Sequence, residues 1–254
     1  MQSFFASHDL ALVGLSYAIS VIGALISLYL AEFIVERDGS INPGWLTLAA
    51  VIFGGCAIWA MHFTGMLAFR MEGPVTYDVG TTLLSLALPI LLSGVGLFVA
   101  YRWRESVLAW LAAGVVFGLG VAAMHYVGMT AMRMSMSMAH DTVITGVSIA
   151  IAIVAATAAL RIIVHWRGVA RLISPLLMGL AVCGMHYTAM YGMTLSASEE
   201  VRLGVDYFEG AWTEGTVGFL SGLWVTMTLF VGAALTVFRK LADVDGPDAF
   251  AAAD

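Results

Sequence analysis

Charge is the first thing this sequence is short of. Only 11% of its 254 residues are Asp, Glu, Lys or Arg, where an ordinary soluble domain carries about a quarter. Basic residues are scarcer still: 11 Lys and Arg against 17 Asp and Glu give a net charge of -6. That balance excludes the basic face that nucleic-acid binding needs. There are two cysteines, Cys56 and Cys183, each inside an apolar run, so a disulfide framework is excluded as well. The first residues, MQSFFASHDL, lack a basic n-region and a small-residue cleavage site; the first apolar run therefore reads as a retained helix, not a signal peptide. No Ser-His-Asp set, paired carboxylates or phosphate-cradling glycine loop appears, so no enzyme activity is expected.

What the chain has instead is hydrophobic length. Hydrophobic residues make up 61% of it, and mean hydropathy is +0.93. Windows of about twenty apolar residues can cross a hydrocarbon core of about 30 Å as helices. Seven windows pass, at 9–34, 45–70, 79–101, 107–132, 142–165, 175–195 and 216–238. The INPGW stretch before the second reads as a turn followed by an interfacial tryptophan, Trp45. Ser174 and Pro175 read as an N-cap and first-position proline for the sixth. Pro89 predicts a kink in the third that neighbouring helices must accommodate.

Basic residues then orient the chain. Arg37, Arg102, Arg104, Arg161, Arg167, Arg171, Arg239 and Lys240 fall on one side, and Arg70, Arg133 and Arg202 on the other. By the positive-inside rule the N-terminus lies outside and the C-terminus in the cytoplasm. The expected architecture is all-α and polytopic. A seven-helix membrane domain covers 1–240, and a disordered cytoplasmic tail covers 241–254. An acidic outside loop is expected at about 196–215.

Three segments align without gaps: AMHFTGMLAFRM from Ala60, AMHYVGMTAMRM from Ala123 and GMHYTAMYGMTL from Gly184. Their histidines, His62, His125 and His186, recur on spans two, four and six, so the seven helices divide into three two-helix repeats plus one extra helix. All three motif spans run the same way, which puts the imidazoles at one depth. Met66, Met129 and Met190 follow by four residues, one turn along the same helix face. Met61, Met124 and Met185 directly precede and point elsewhere. Gly55, Gly118 and Gly179 precede by seven, on nearly the histidine face, where glycine permits close helix approach. The expectation is three stripes of Gly, His and Met facing a common interior.

Neutral imidazole with thioether suits copper, above all Cu(I). Calcium and magnesium want oxygen donors, and no carboxylate flanks the motifs to favour zinc. Haem held by two of the matched histidines is the competing cofactor. Methionine is also a common packing residue, but repetition of an intramembrane histidine argues for function. Beyond the second motif, Met132, Met134, Met136 and Met138 alternate up to His140 and Asp141. That pattern reads as an outer loop for copper capture, which His8 and Asp9 would join by topology alone. Cys56 and Cys183 read first as small buried hydrophobes.

These motifs resemble the MHYT domain family of bacterial membrane sensors, named for a Met-His-Tyr-Thr tetrad. Met185-His186-Tyr187-Thr188 matches in full, Met61-His62-Phe63-Thr64 replaces the tyrosine, and Met124-His125-Tyr126-Val127 replaces the threonine. The resemblance covers about 5–240. It implies a bacterial cytoplasmic (inner) membrane protein with its motifs in the outer half. It also implies copper binding and, through it, sensing of a diatomic gas such as O2, CO or NO. Members are often joined to cyclic-di-GMP synthesis and degradation domains, histidine kinases or DNA-binding domains, so the sequence is expected to be either a sensor segment of something longer or a stand-alone form that signals through a separate cytoplasmic protein. Its expected partners are thus membrane lipid, the gas and that protein, and no nucleic acid. Two other functions remain open: copper storage, delivery or transport, and a haem or copper redox role.

Overall fold

Three aspartates begin helices. Asp9 accepts from the backbone N–H groups of Ala11 and Leu12 to start α1 (Leu10–Leu30). Asp78 does so from Thr81 for α3 (Val79–Arg102), and Asp141 from Val143 and Ile144 for α5 (Thr142–His165). A side-chain oxygen at the N-cap satisfies donors that have no partner within the helix. The intervening helices are α2 (Pro43–Ala68), α4 (Val107–Thr130) and α6 (Ile173–Tyr191), and α7 spans Glu214–Val244. Asn42 caps α2, with Pro43 at its first position, and Ser106 caps α4. The computed structural model describes residues 7–71, 73–166, 168–197 and 210–244. All seven helices are long and apolar enough to cross a membrane.

Their outer faces agree with that. Leu108, Val143, Val154, Phe230 and Phe238 are among many large apolar side chains left exposed. Such a surface is favourable only when hydrocarbon covers it. The chain is a seven-helix, all-α integral membrane protein.

Packing closes six of the helices into a ring. α2 lies between α1 and α3, α4 between α3 and α5, and α6 between α5 and α1, while α7 packs outside against α1 and α2. Each repeat thus gives one plain helix and one motif helix, related by a pseudo-threefold axis. Short strands tie the repeats at one end of the bundle. β1 (Thr76–Tyr77) pairs antiparallel with β2 (Met132–Arg133) and with β5 (Trp212–Thr213). β3 (Met136–His140) pairs with β4 (Met193–Ala197), and a single bridge joins His8 to Phe69. In each repeat the segment entering the plain helix pairs with the segment leaving the motif helix, and β5, which leads into α7, adds to the far edge of β1.

Three expectations change here, and the accommodation expected at Pro89 takes a definite form. The alternating methionines run through β2 and β3, with Met134 between the two strands, where a loop was expected. Ser174 does not cap α6, which begins at Ile173; it is buried and donates to the Ala159 carbonyl of α5. Pro89 is buried within α3 against Gly54, which belongs to a π-helical stretch of α2 over Phe53–Ala60. A Cβ at Gly54 would come within 2.5 Å of the Ile90 nitrogen, so this glycine is what admits the proline-bearing segment. Finally, α7 continues to Val244, past the expected start of the tail at 241. Most of the acidic loop (198–209), and the tail after 244, lie outside the described residues.

Candidate metal centre

His62, His125 and His186 meet at the centre of the ring. Their Nδ1 atoms form a triangle with sides of 3.1, 3.2 and 3.1 Å, and all three residues are fully buried. The rings stand nearly perpendicular to one another, at 83–88°, with centroids 5.0–5.1 Å apart. A point equidistant from the nitrogens is about 1.8 Å from each (the side divided by the square root of three), close to the metal–imidazole distance of about 2.0–2.1 Å.

Glycine makes this convergence possible. A Cβ at Gly128 would fall 2.6 Å from Nε2 of His62, and one at Gly65 would fall 2.6 Å from Nε2 of His186. Both glycines lie three residues after a motif histidine, the position Ala189 takes in the third copy. Gly55, Gly118 and Gly179 act differently from expectation. Their closest neighbours are Trp224 of α7, the Ile153 backbone of α5, and Val21 with Tyr17 of α1. They admit the surrounding helices, not a common interior.

A neutral imidazole carries one N–H. With the proton on Nε2, three Nδ1 lone pairs converge unopposed; with it on Nδ1, three hydrogens crowd the same triangle. A cation between the nitrogens removes the conflict. The three Nε2 atoms are buried without a hydrogen-bond partner, so the acceptor that usually orients a zinc-bound histidine is missing among the described residues. No Cys, Asp or Glu joins the cluster there either. With three neutral ligands and no anion, the desolvation penalty of the ion rises with its charge, which favours a monovalent soft ion over a divalent one. The residues present therefore fit copper(I). A porphyrin does not fit, because inserting one between two imidazoles would hold their nitrogens further apart than 3.1–3.2 Å.

A polar layer the motif search misses surrounds the triangle. Tyr126 hydrogen-bonds Ser148 at 2.7 Å and Tyr187 hydrogen-bonds Ser16 at 2.9 Å. Each serine hydroxyl also donates to a carbonyl of its own helix, Thr145 or Val13, so the tyrosine supplies the proton of the shared bond. In the first copy Phe63 has no hydroxyl, and Trp59 Nε1 donates to the equivalent Ser85 at 3.1 Å instead. The aromatic rings of the tetrads pack edgewise on the residue preceding each helix-starting aspartate: Phe63 on Tyr77, Tyr126 on His140 and Tyr187 on His8. The signal was there to find: HDLALVGLS, YDVGTTLLS and HDTVITGVS share a pattern of His or Tyr, Asp, six residues, Ser.

The remaining sequence candidates separate. Met61, Met124 and Met185 are fully buried in the hydrophobic core. Met66, Met129 and Met190 are buried one turn beyond the histidines. Met129 also lines a separate cavity of about 280 Å³ with Met132, Met134, Met136, Met138 and His140, so the structure brings the whole outer segment together. Burial shifts the His140 imidazole toward its neutral form. His8 does not join this group, and Asp9 and Asp141 are engaged as helix caps. Cys56 is a free thiol 2.6 Å from the Thr228 hydroxyl of α7, and Cys183 is free and buried.

Residues 55–113 and 118–174 match the family profile described as the MHYT bacterial signalling protein N-terminal repeat. Among curated proteins, the bifunctional diguanylate cyclase/cyclic di-GMP phosphodiesterase MucR of Pseudomonas aeruginosa is 36% identical over 93% of this chain and 34% of its own length. The cyclic di-GMP phosphodiesterase NbdA of the same organism is 33% identical, over 79% of this chain and 27% of its own. The signaling protein YkoW of Bacillus subtilis is 29% identical, over 93% and 29%. The chain spans about a third of the length of these relatives. No solved structure matches it. The three tetrads on alternate helices, the profile match and the likeness to these signalling proteins agree, and the chain belongs to the MHYT family of bacterial signalling proteins.

Proposed function

We propose that this chain is a copper-binding sensor module that detects a diatomic gas, O2, CO or NO, at the histidine triangle. The observation that supports it best is the convergence of three buried Nδ1 atoms in a site without carboxylates. When bound, copper(I) supplies an open coordination position for the gas. The protein's own contribution is geometry and dryness: Gly65 and Gly128 hold the rings in place, and burial keeps water from competing. Met66, Met129 and Met190 are further thioether candidates one turn beyond. The charge asymmetry supports a reading in which the strand-bearing end lies outside the bacterial cytoplasmic membrane.

Gas binding changes the packing of α2, α4 and α6 only to the extent that two packings differ in gas affinity. The relatives named as cyclic-di-GMP enzymes point to an output read by such an enzyme on the cytoplasmic side. The test is metal content by mass spectrometry of the detergent-purified protein beside a His62/His125/His186→Ala variant. Copper in the parent and none in the variant is the expected result. A parent that takes up no copper even after loading would refute the reading.

A further inference from the structure

From the cavity beside the strand-bearing end of α4, we propose a second soft-metal site, separate from the histidine triangle, that takes monovalent copper through thioether sulfurs. Its walls are Met129, Met132, Met134, Met136, Met138 and His140 around about 280 Å³, together with Thr130, whose hydroxyl donates to the Val127 carbonyl. The argument begins with strand periodicity. β3 alternates partly buried Met136, Met138 and His140 with exposed Ser137 and Ala139, because successive side chains of a strand point to opposite faces. Pairing with β4 in the register His140 to Met193 fixes which face turns inward. Met132 and Met134, both largely buried, complete the wall from the segment leaving α4.

Packing alone does not account for this choice. A strand face that only had to fill space would favour Val or Ile, yet every apolar position lining this wall is an unbranched thioether, and the thioethers surround a space instead of filling one. Two acids near the cavity among the described residues are committed elsewhere. Asp141 accepts two backbone N–H groups of α5, and Asp78 pairs with Arg133. Among the described residues the cavity therefore offers a hard cation no oxyanion, whereas neutral sulfur with one imidazole matches Cu(I) and Ag(I). His140 Nε2 is buried with no hydrogen-bond partner, a donor or acceptor position that a ligand would satisfy. The other repeats offer no such set: the stretch leaving α2 begins Phe69-Arg70-Met71, and that leaving α6 Met193-Thr194-Leu195.

The test uses the full chain in detergent and Ag(I), a redox-inert stand-in for Cu(I), titrated in chloride-free buffer. Calorimetry would compare the parent with a Met132/Met134/Met136/Met138→Leu variant, which conserves volume and apolar character while removing sulfur. The parent is expected to bind one more ion per chain than the variant; equal stoichiometry overturns the proposal. Because four changes in one wall can disturb folding, the parent labelled with 13C at methionine methyl groups gives a second reading. Resonances of Met132, Met134, Met136 and Met138 should shift with Ag(I), and their remaining fixed overturns the proposal. Repeating the titration in the His62/His125/His186→Ala background keeps the two sites apart. Methyl shifts that persist there belong to the cavity, and their disappearance there means the cavity is no separate site.

Discussion

Replacing Gly128 by alanine adds one methyl group directly against a ring of the histidine triangle. The new Cβ would lie 2.6 Å from Nε2 of His62 and 3.1 Å from its Cδ2. Restoring ordinary contact, at about 3.4 Å, requires the ring to move by about 0.8 Å. It cannot simply advance, because its Nδ1 already stands 3.1 and 3.2 Å from those of His186 and His125. The ring must turn or α2 and α4 must separate, and both open the triangle. Overpacking of this kind costs about 1–3 kcal/mol. If that falls on the bound state, copper(I) affinity drops by roughly 5- to 150-fold, at about 1.4 kcal/mol per factor of ten. Competition with a copper(I) chelator on purified protein measures it. Gly65→Ala should behave alike through His186, and Gly146→Ala, with nothing within 4 Å of its Cβ, should leave affinity unchanged. A folded Gly128→Ala protein that holds copper(I) within about twofold of the parent would show that ring position does not set affinity.

Ser148→Ala should lower the thermal midpoint in detergent by leaving the Tyr126 hydroxyl unpaired, a loss of about 1–3 kcal/mol. Adding Tyr126→Phe should recover most of it, since Phe63 already occupies that place in the first repeat; failure to recover would mean the pair does not act as one unit. The Thr81 backbone N–H and hydroxyl, aided by Arg133, hold the Asp78 carboxyl below its ordinary 3.8. Its folded pKa is thus depressed, so its stabilisation is present above that ordinary value and is lost as pH falls through the folded one. Asp78→Asn, which keeps a capping oxygen, should flatten this part of an acid-unfolding curve.

Helix number and placement were legible because a membrane span needs length and hydrophobicity, both visible in a window. The observed ends fall within a few residues of expectation. The histidine triangle was legible as a repeat, though only packing shows that Nδ1 faces inward. Two readings failed for physical reasons. Met132 to His140 alternates with period two, a strand signal, but its chemistry drew the interpretation toward a loop. Ser174 sits before a proline as a cap would, yet a buried hydroxyl facing the Ala159 carbonyl of the preceding helix α5 is better satisfied there. The supporting serines were missed because the motif helices hold the conspicuous residues, while Ser16, Ser85 and Ser148 lie on helices that look merely oily.

Departures from threefold symmetry gather in the first repeat. There Phe63 replaces tyrosine, Trp59 takes over the bond to Ser85, and α2 is π-helical up to the residue before Met61. That same stretch meets α7: Trp224 lies against Gly55, and Cys56 pairs with Thr228. π-Helical turns recur at functional sites, and this one leads from His62 to α7, the membrane-spanning helix that the described residues place outside the ring. Gly55→Ala separates the two roles. Its Cβ would come within 2.4 Å of Trp224 Nε1, forcing α7 away without touching a histidine. The expected result is unchanged copper(I) affinity together with faster modification of Cys56, fully buried in the parent, by a small thiol reagent. If affinity falls as far as in Gly128→Ala, the seat of α7 and the histidine triangle are one structural unit, and α2 does not act as a link between two parts.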